Sequence, residues 1–130
     1  MSRYYTLVVV PGEPDAPEEA CETAAELLYP YMYDPDRPTR THYFDYMYGP
    51  KDIADLTDDD ISDHVWPVSE ILDPRTFAGL EVEAIVTPEG SWHEPDDPGG
   101  LWDDPAWLKK ASQVLGQHRE CLALRHVLHI

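Results

Sequence analysis

Hydrophobic and polar positions alternate with a period of two in three stretches of this chain, and a fourth stretch is an almost continuous apolar run; both patterns are typical of β-strands. Tyr4–Val10 (YYTLVVV) is rich in β-branched and aromatic residues and predicts a buried first strand. Thr39–Gly49 alternates over a long span, and so does Cys121–Ile130 at the end of the chain. In Glu81–Thr87, the pattern places Val82, Ala84 and Val86 on one face.

Two further stretches carry apolar residues every three or four positions, which predicts amphipathic helices. The first helix should begin near Asp15, because Asp15 with Glu18 has the form of a capping box. The second should begin at Asp104, as N-cap, followed by a proline in the first turn. Thr57 is expected to cap a short third helix whose first turn holds three consecutive aspartates.

A turn signal ends the third predicted strand. In Thr87-Pro88-Glu89-Gly90, the proline pre-sets φ and Gly90 can adopt a positive φ. Trp92 and His93 should therefore lie beside a sheet edge. The element order predicts one α+β domain over residues 1–130, a ferredoxin-like βαββαβ sandwich with an acidic loop or short-helix insert at about residues 50–80.

Length and composition predict a single soluble domain. The chain has 130 residues, and it contains no apolar run near the roughly 18 residues of a membrane span. We find no signal-peptide pattern at the start, so a cytoplasmic location is the expectation. Cys21 and Cys121 lie in apolar patterns and are interpreted as unbridged, mostly buried thiols.

The negative charge is concentrated in the middle of the chain. Residues 1–44 carry 8 acids and 3 bases, residues 45–104 carry 17 acids and 2 bases, and residues 105–130 carry 1 acid and 4 bases, which gives −5, −15 and +3 and a total of −17. Such a region repels nucleic acid, so direct binding of nucleic acid is not expected. A protein partner with a basic surface would be attracted. General solubility or salt adaptation is the alternative explanation.

The candidate interaction surface consists of the aspartates in this acidic region. They are Asp52, Asp55, Asp58, Asp59, Asp60, Asp63, Asp96, Asp97, Asp103 and Asp104. No calcium-loop spacing occurs among them, so no metal ion is expected here. If these carboxylates imitate a polyanion, they must gather on one face.

A second candidate site combines polar groups that could perform acid–base chemistry. They are Asp45, His93, Glu94 and His129. Asp45 is unusual in a covered strand and needs a partner. No HEXXH, CxxC, GxSxG or phosphate-binding loop is present, so no catalytic residue, cofactor or metal ligand is assigned.

Several short motifs resemble those of a family of small bacteriophage and prophage proteins. They are Tyr4–Val10, Trp66–Glu70 (WPVSE), Val86–Glu94 (VTPEGSWHE) and the terminal His129-Ile130. Members of that family begin with a YYTVVVV-like strand, carry a VTPDGxWHE-like turn and end in DxHI. This chain departs from them at Val127, where the family has aspartate, and lacks a GRW-like run after Thr39–Gly49. The resemblance implies a phage origin and no particular activity.

These observations favour a phage-encoded acidic protein-binding module in the cytoplasm of an infected or lysogenic bacterial host. Its most specific form is an inhibitor of a host defence complex that imitates nucleic acid, and homodimerisation is left open. The alternative is a small enzyme or metal-binding protein. That alternative requires at least three of Asp45, His93, Glu94 and His129 to converge on one pocket.

Overall fold

A six-stranded mixed sheet and four α-helices make up the computed structural model, which describes residues 3–33, 36, 43–97 and 101–129. The strands are β1 (Arg3–Val10), β2 (Tyr46–Tyr48), β3 (Val65–Pro67), β4 (Val82–Val86), β5 (Trp92–His93) and β6 (Leu122–His129). The helices are α1 (Pro17–Leu28), α2 (Pro50–Thr57), α3 (Pro74–Gly79) and α4 (Pro105–Gly116). Short 3-10 helices lie at Tyr29–Tyr31, Ile61–His64 and Val68–Glu70.

The first strand occupies the centre of the sheet. β1 is parallel to β4 on one side and antiparallel to β6 on the other, and the strand order is β2-β6-β1-β4-β5. β2 and β3 both pair with the outer edge of β6, one after the other: Tyr46 lies opposite His129, and Val65 lies opposite Leu124. The predicted strands Glu81–Thr87 and Cys121–Ile130 thus belong to one sheet, within slightly shorter bounds, and Ile130 lies outside the described residues.

The mixed α/β class is confirmed, but the strand order differs from the expected ferredoxin-like arrangement. In that arrangement, the second strand pairs beside the strand that we label β4. Here β5 occupies that position, because a hairpin returns the chain onto β4 at once: Gly90 N–H donates to Thr87 O at 2.8 Å, and φ of Gly90 is 85°. Of the predicted strand Thr39–Gly49, residues 46–48 pair with β6 instead, and residues 39–42 lie outside the described residues.

Each face of the sheet is covered by helices, so the molecule has three layers. Because side chains alternate along a strand, Val8 and Val10 pack with Ala20, Ala24 and Leu28 of α1 on one face. On the other face, Leu7 and Val9 pack against residues of α3 and α4, namely Phe77, Trp107, Ala111 and Leu115. The segment 50–80, predicted as an acidic insert, contributes Val68, Ile71 and Phe77 to this second core.

A β-bulge in β4 changes which residues share a face. Tyr5 lies opposite Val82 and Thr6 lies opposite Ala84, so Glu83 is an extra residue in the ladder. Val82 therefore joins Ile85 in the core of the α4 face, whereas Val86 packs on the α1 face. The prediction of a strand is confirmed, but its strict alternation with Val82, Ala84 and Val86 on one face is wrong.

The ends of the two long helices test the capping predictions. Asp104 caps α4 as predicted, since its carboxylate accepts the N–H of Ala106 at 3.0 Å. Asp15 does not cap α1: the N-cap is Ala16, without a side-chain hydrogen bond, and Pro17 starts the helix. A proline at the first helical position has its φ already set for the helix and removes one of the unpaired N–H groups at the helix start.

Cys21 and Cys121 are free thiols, as predicted, but both are half-buried rather than mostly buried. Burial is the main factor that raises the pKa of each thiol. None of the described helices has the length and apolarity that a membrane span would need.

Candidate functional site

The acidic segment 52–63 is built from α2 and the 3-10 helix that comes after it. Gly49 and Pro50 start α2, and the Asp52 carboxylate accepts the N–H of Gly49 at 3.0 Å. The helix ends at Thr57 because Asp58 adopts a left-handed conformation, with φ 60°. The prediction that Thr57 caps the start of a helix is therefore wrong. Thr57 instead closes α2, and its hydroxyl oxygen lies 2.7 Å from Ile53 O.

Six carboxylates of this segment are exposed within twelve residues. They belong to Asp52, Asp55, Asp58, Asp59, Asp60 and Asp63. Asp52 and Asp63 also accept main-chain N–H groups, the second from Asp60 at 3.0 Å. The segment itself contains no lysine or arginine. Structure formation and a dense negative surface thus coexist in the same residues.

Asp59 is held in place more firmly than its neighbours. Its carboxylate accepts the hydroxyl of Thr57 at 2.7 Å and lies 3.3 Å from Nε2 of His64. The hydrogen bond from Thr57, with further contributions from His64, lowers the pKa of the Asp59 carboxyl. Asp59 is therefore charged at neutral pH and fixes the orientation of the segment.

A cation lies beneath the acidic segment. Arg125 of β6 contacts Nδ1 of the buried His64 at 3.0 Å. A guanidinium can only donate, so Nδ1 carries a lone pair and the ring proton resides on Nε2, which faces Asp59. The guanidinium also lies 4.8 Å from the ring centroid of Tyr5 and 5.4 Å from that of Trp66. The contact of Arg125 with His64 and that of His64 with Asp59 thereby connect the acidic segment to the sheet.

The other four candidate aspartates are placed elsewhere. Asp96 contacts Lys110 at 3.0 Å, Asp104 caps α4, and Asp97 and Asp103 lie in the same connection between β5 and α4. β5 forms one edge of the sheet, whereas α2 packs against β2 and β6 at the opposite edge. With about 4.8 Å between strands, β5 and β6 are about 14 Å apart. The structure gathers six of the ten aspartates in one segment and places four near the other edge.

The alternative polar site is divided in the same way. Asp45 and His129 meet, with 2.9 Å between Oδ1 and Nδ1, because β2 pairs with β6. His93 lies in β5 at the far edge, and Glu94 accepts the indole N–H of Trp92 at 3.2 Å. The hydrogen bond from His129 lowers the pKa of the Asp45 carboxyl. Two of the four groups therefore converge, fewer than the three that this alternative requires.

In the Asp45–His129 pair, the imidazole ring of His129 is held in one orientation by its contacts. The ring of Tyr46 stacks on that of His129 with 4.4 Å between centroids, and Nε2 of His129 is buried without a hydrogen-bond partner among the described residues. Asp45 is exposed, in contrast to the covered carboxylate that the strand pattern suggested. Within the described ranges, no group of three or more His, Cys, Asp or Glu side chains could hold a metal ion.

Sequence reasoning missed His64 and Arg125 as parts of the site. They are separated by 61 positions and meet because β3 pairs with β6. It also missed a cavity that β6 shares with α1 and the start of α2. The available signal was His126, a polar residue within the apolar face of the last strand.

We compared the chain with known protein families, curated proteins and solved structures. No protein-family model, no curated protein and no solved structure matches this chain.

Proposed function

We propose that this protein is an acidic protein-binding module that docks its 52–63 segment onto a basic protein surface. The single observation that carries the proposal is the presence of six exposed aspartates within twelve residues, on a segment that contains no lysine or arginine. Clustered like charges repel one another, so this arrangement favours a partner that supplies the missing cations.

The spacing of the carboxylates supports a partner that normally holds nucleic acid. Asp52 and Asp55 lie three residues apart within α2, which is about 4.5 Å of axial rise in a helix. Phosphates along one DNA strand recur about every 3.4 Å. A surface with lysine and arginine spaced for phosphates therefore meets carboxylates at a comparable spacing. In its specific form, the proposal is a phage-encoded inhibitor of a nucleic-acid-binding defence complex in the host cytoplasm.

The mounting of the segment supports rigid docking. Arg125, His64 and Asp59 connect it to β6, and Thr57 and Asp63 fix its two turns. A segment that is already ordered loses little conformational entropy on binding, so its charges contribute to affinity directly.

The test removes the charge of three aspartates and keeps their shape; Asp60 is the N-cap of the 3-10 helix, and Asn caps a helix start as well as Asp does. Asn replaces Asp at positions 55, 58 and 60; Asn is well tolerated in the left-handed conformation of Asp58. The matched control removes the same charge from exposed positions elsewhere, as Glu13→Gln, Asp15→Asn and Glu22→Gln. Tagged protein captures partners from a bacterial host lysate, and duplex DNA is added to displace them.

For a captured partner, we expect the Asp55/Asp58/Asp60 variant to associate on the order of tenfold more slowly at low salt, because charge steers encounter. This difference should shrink once screening shortens to about 8 Å at 0.15 M salt. The control should keep most of the association rate, and duplex DNA should compete. Equal association rates for the two triple variants, with equal salt dependence, would refute the proposal and show that the acidic residues serve only solubility.

A further inference from the structure

A cavity of about 180 Å³ lies between four elements of the fold. α1 contributes Cys21 and Ala25, β2 contributes Met47, the start of α2 contributes Gly49 and Pro50, and β6 contributes His126. The lining is mainly apolar, with two sulfur atoms and one imidazole. Of the lining residues, the acidic binding proposal uses only Asp52, at the mouth, so the interior of the cavity is a separate feature of the molecule.

His126 provides a defined hydrogen-bond acceptor in this cavity. The residue is 2% exposed, and its Nδ1 lies 3.2 Å from Leu124 O. A carbonyl oxygen only accepts, so Nδ1 carries the proton and Nε2 carries a lone pair. Burial lowers the pKa of His126 to about 4, so the ring is neutral at physiological pH. The ring of His126 also lines the cavity.

Nε2 faces the cavity beside Gly49. A Cβ atom built on Gly49 would lie 3.6 Å from Nε2 and 3.7 Å from Cδ2 of the same ring. Glycine at this position therefore leaves open the space in front of the acceptor. An acceptor in the wall of a cavity can take a hydrogen bond from a donor of a bound molecule.

The size and lining of the cavity define what could fill it. An apolar cavity of about 150 Å³ accommodates benzene, so about 180 Å³ suits one ring with a small substituent. Cys21 and Met47 supply sulfur atoms, which make favourable contacts with aromatic rings. Lys51 and Asp52, both exposed, form the mouth with opposite charges, which favours a neutral molecule.

We propose that this cavity binds a small neutral aromatic molecule, a phenol or an aromatic amine, whose O–H or N–H donates to Nε2 of His126. The ring would lie against Cys21, Ala25 and Met47, and Gly49 would provide the clearance for the donor.

The test compares two probes of nearly the same shape. Phenol carries a donor, whereas fluorobenzene does not. Binding is followed by the amide chemical shifts of Ala25, Gly49 and Lys51 in isotopically labelled protein. We expect a saturable change with phenol, with a dissociation constant on the order of 1 mM as befits a fragment. Fluorobenzene should bind about fivefold more weakly, the contribution of one net hydrogen bond.

Two glycine variants test the location. Gly49→Ala puts a methyl group at ordinary contact distance from His126, and its φ of −80° suits alanine, so the fold should persist. It should weaken phenol binding at least about threefold because it fills the cavity. Gly79→Ala is the matched control: its added methyl meets nothing within 4 Å, and the affinity should not change.

His126→Phe tests the acceptor, because it should make phenol and fluorobenzene bind equally. If that variant does not fold, the probe ratio on the natural protein and the two glycine variants still decide. The proposal is overturned if phenol gives no saturable shifts at the cavity residues. It is also overturned if both probes bind the natural protein equally, or if Gly79→Ala weakens binding as much as Gly49→Ala.

Discussion

The buried His126 should make the protein lose stability in mild acid. In the folded chain, burial lowers the pKa of His126 to about 4, whereas an imidazole in the unfolded chain has a pKa of about 6.5. Below pH 6.5, the unfolded chain therefore takes up a proton that the folded chain does not. Stability is complete above pH 6.5 and falls as the pH decreases towards 4.

The size of this loss is set by the two pKa values. Each unit of separation corresponds to about 1.4 kcal/mol, so the full effect is about 3 kcal/mol below pH 4. Between pH 7 and pH 5, the linkage relation gives a loss of about 2 kcal/mol. The titratable groups around the ring are the Cys21 thiol on α1 and Lys51 and Asp52 at the start of α2. They remain in a His126→Phe variant, so their effects largely cancel in the comparison.

Urea unfolding at pH 7 and pH 5, followed by circular dichroism, measures the effect. The natural protein should lose about 2 kcal/mol more between these two pH values than His126→Phe does. The absolute stability of the variant does not matter, because only the change with pH is compared. Equal losses in both proteins would show that His126 is not the buried neutral imidazole that this reasoning requires.

Two tryptophans give further predictions. Trp107 is 1% exposed and donates to Val82 O at 2.9 Å, so Trp107→Phe should cost about 2 kcal/mol in urea unfolding by removing the donor of a buried carbonyl. A change below about 0.5 kcal/mol would contradict this contact. Trp92 is half-buried and stacks on Tyr43 at 4.5 Å, so Trp92→Ala should cost about 1–3 kcal/mol, less than a fully buried ring; about 4 kcal/mol or more would place it in the core.

Local signals in the sequence predicted local structure well where one conformation dominated. Asp104 before a proline gave a helix cap, and the Thr87–Gly90 turn gave the hairpin. The same rules failed where residues permit two conformations. Thr57 with the aspartates after it fits a helix start, yet Asp58 also tolerates the left-handed region that ends a helix. Gly49 and Pro50 had already started that helix, and the two interpretations could not be separated without the fold.

Contacts distant in sequence were harder to predict, because they depend on strand register. Asp45 and His129 meet across 84 positions only because Tyr46 lies opposite His129 in the sheet. A different strand order, such as the ferredoxin-like one, would have placed β2 beside β4 and separated the two residues. The bulge at Glu83 has a similar effect, since one extra residue moves Val82 to the other face.

The proposed binding role of the acids rests on their clustering in one segment. Charges that serve only solubility can be spread over the surface, and spreading reduces their mutual repulsion. Here six aspartates occupy residues 52–63, while residues 105–130 have a net charge of +3. The part-buried Arg125 lies beneath the acidic segment and offsets some of the repulsion through His64. A cation placed in this way stabilises the segment from below and leaves the outward carboxylates without basic neighbours in their own segment. The same sheet strand that supplies this cation also supplies His126 to the cavity, so β6 supports both proposed sites through different side chains.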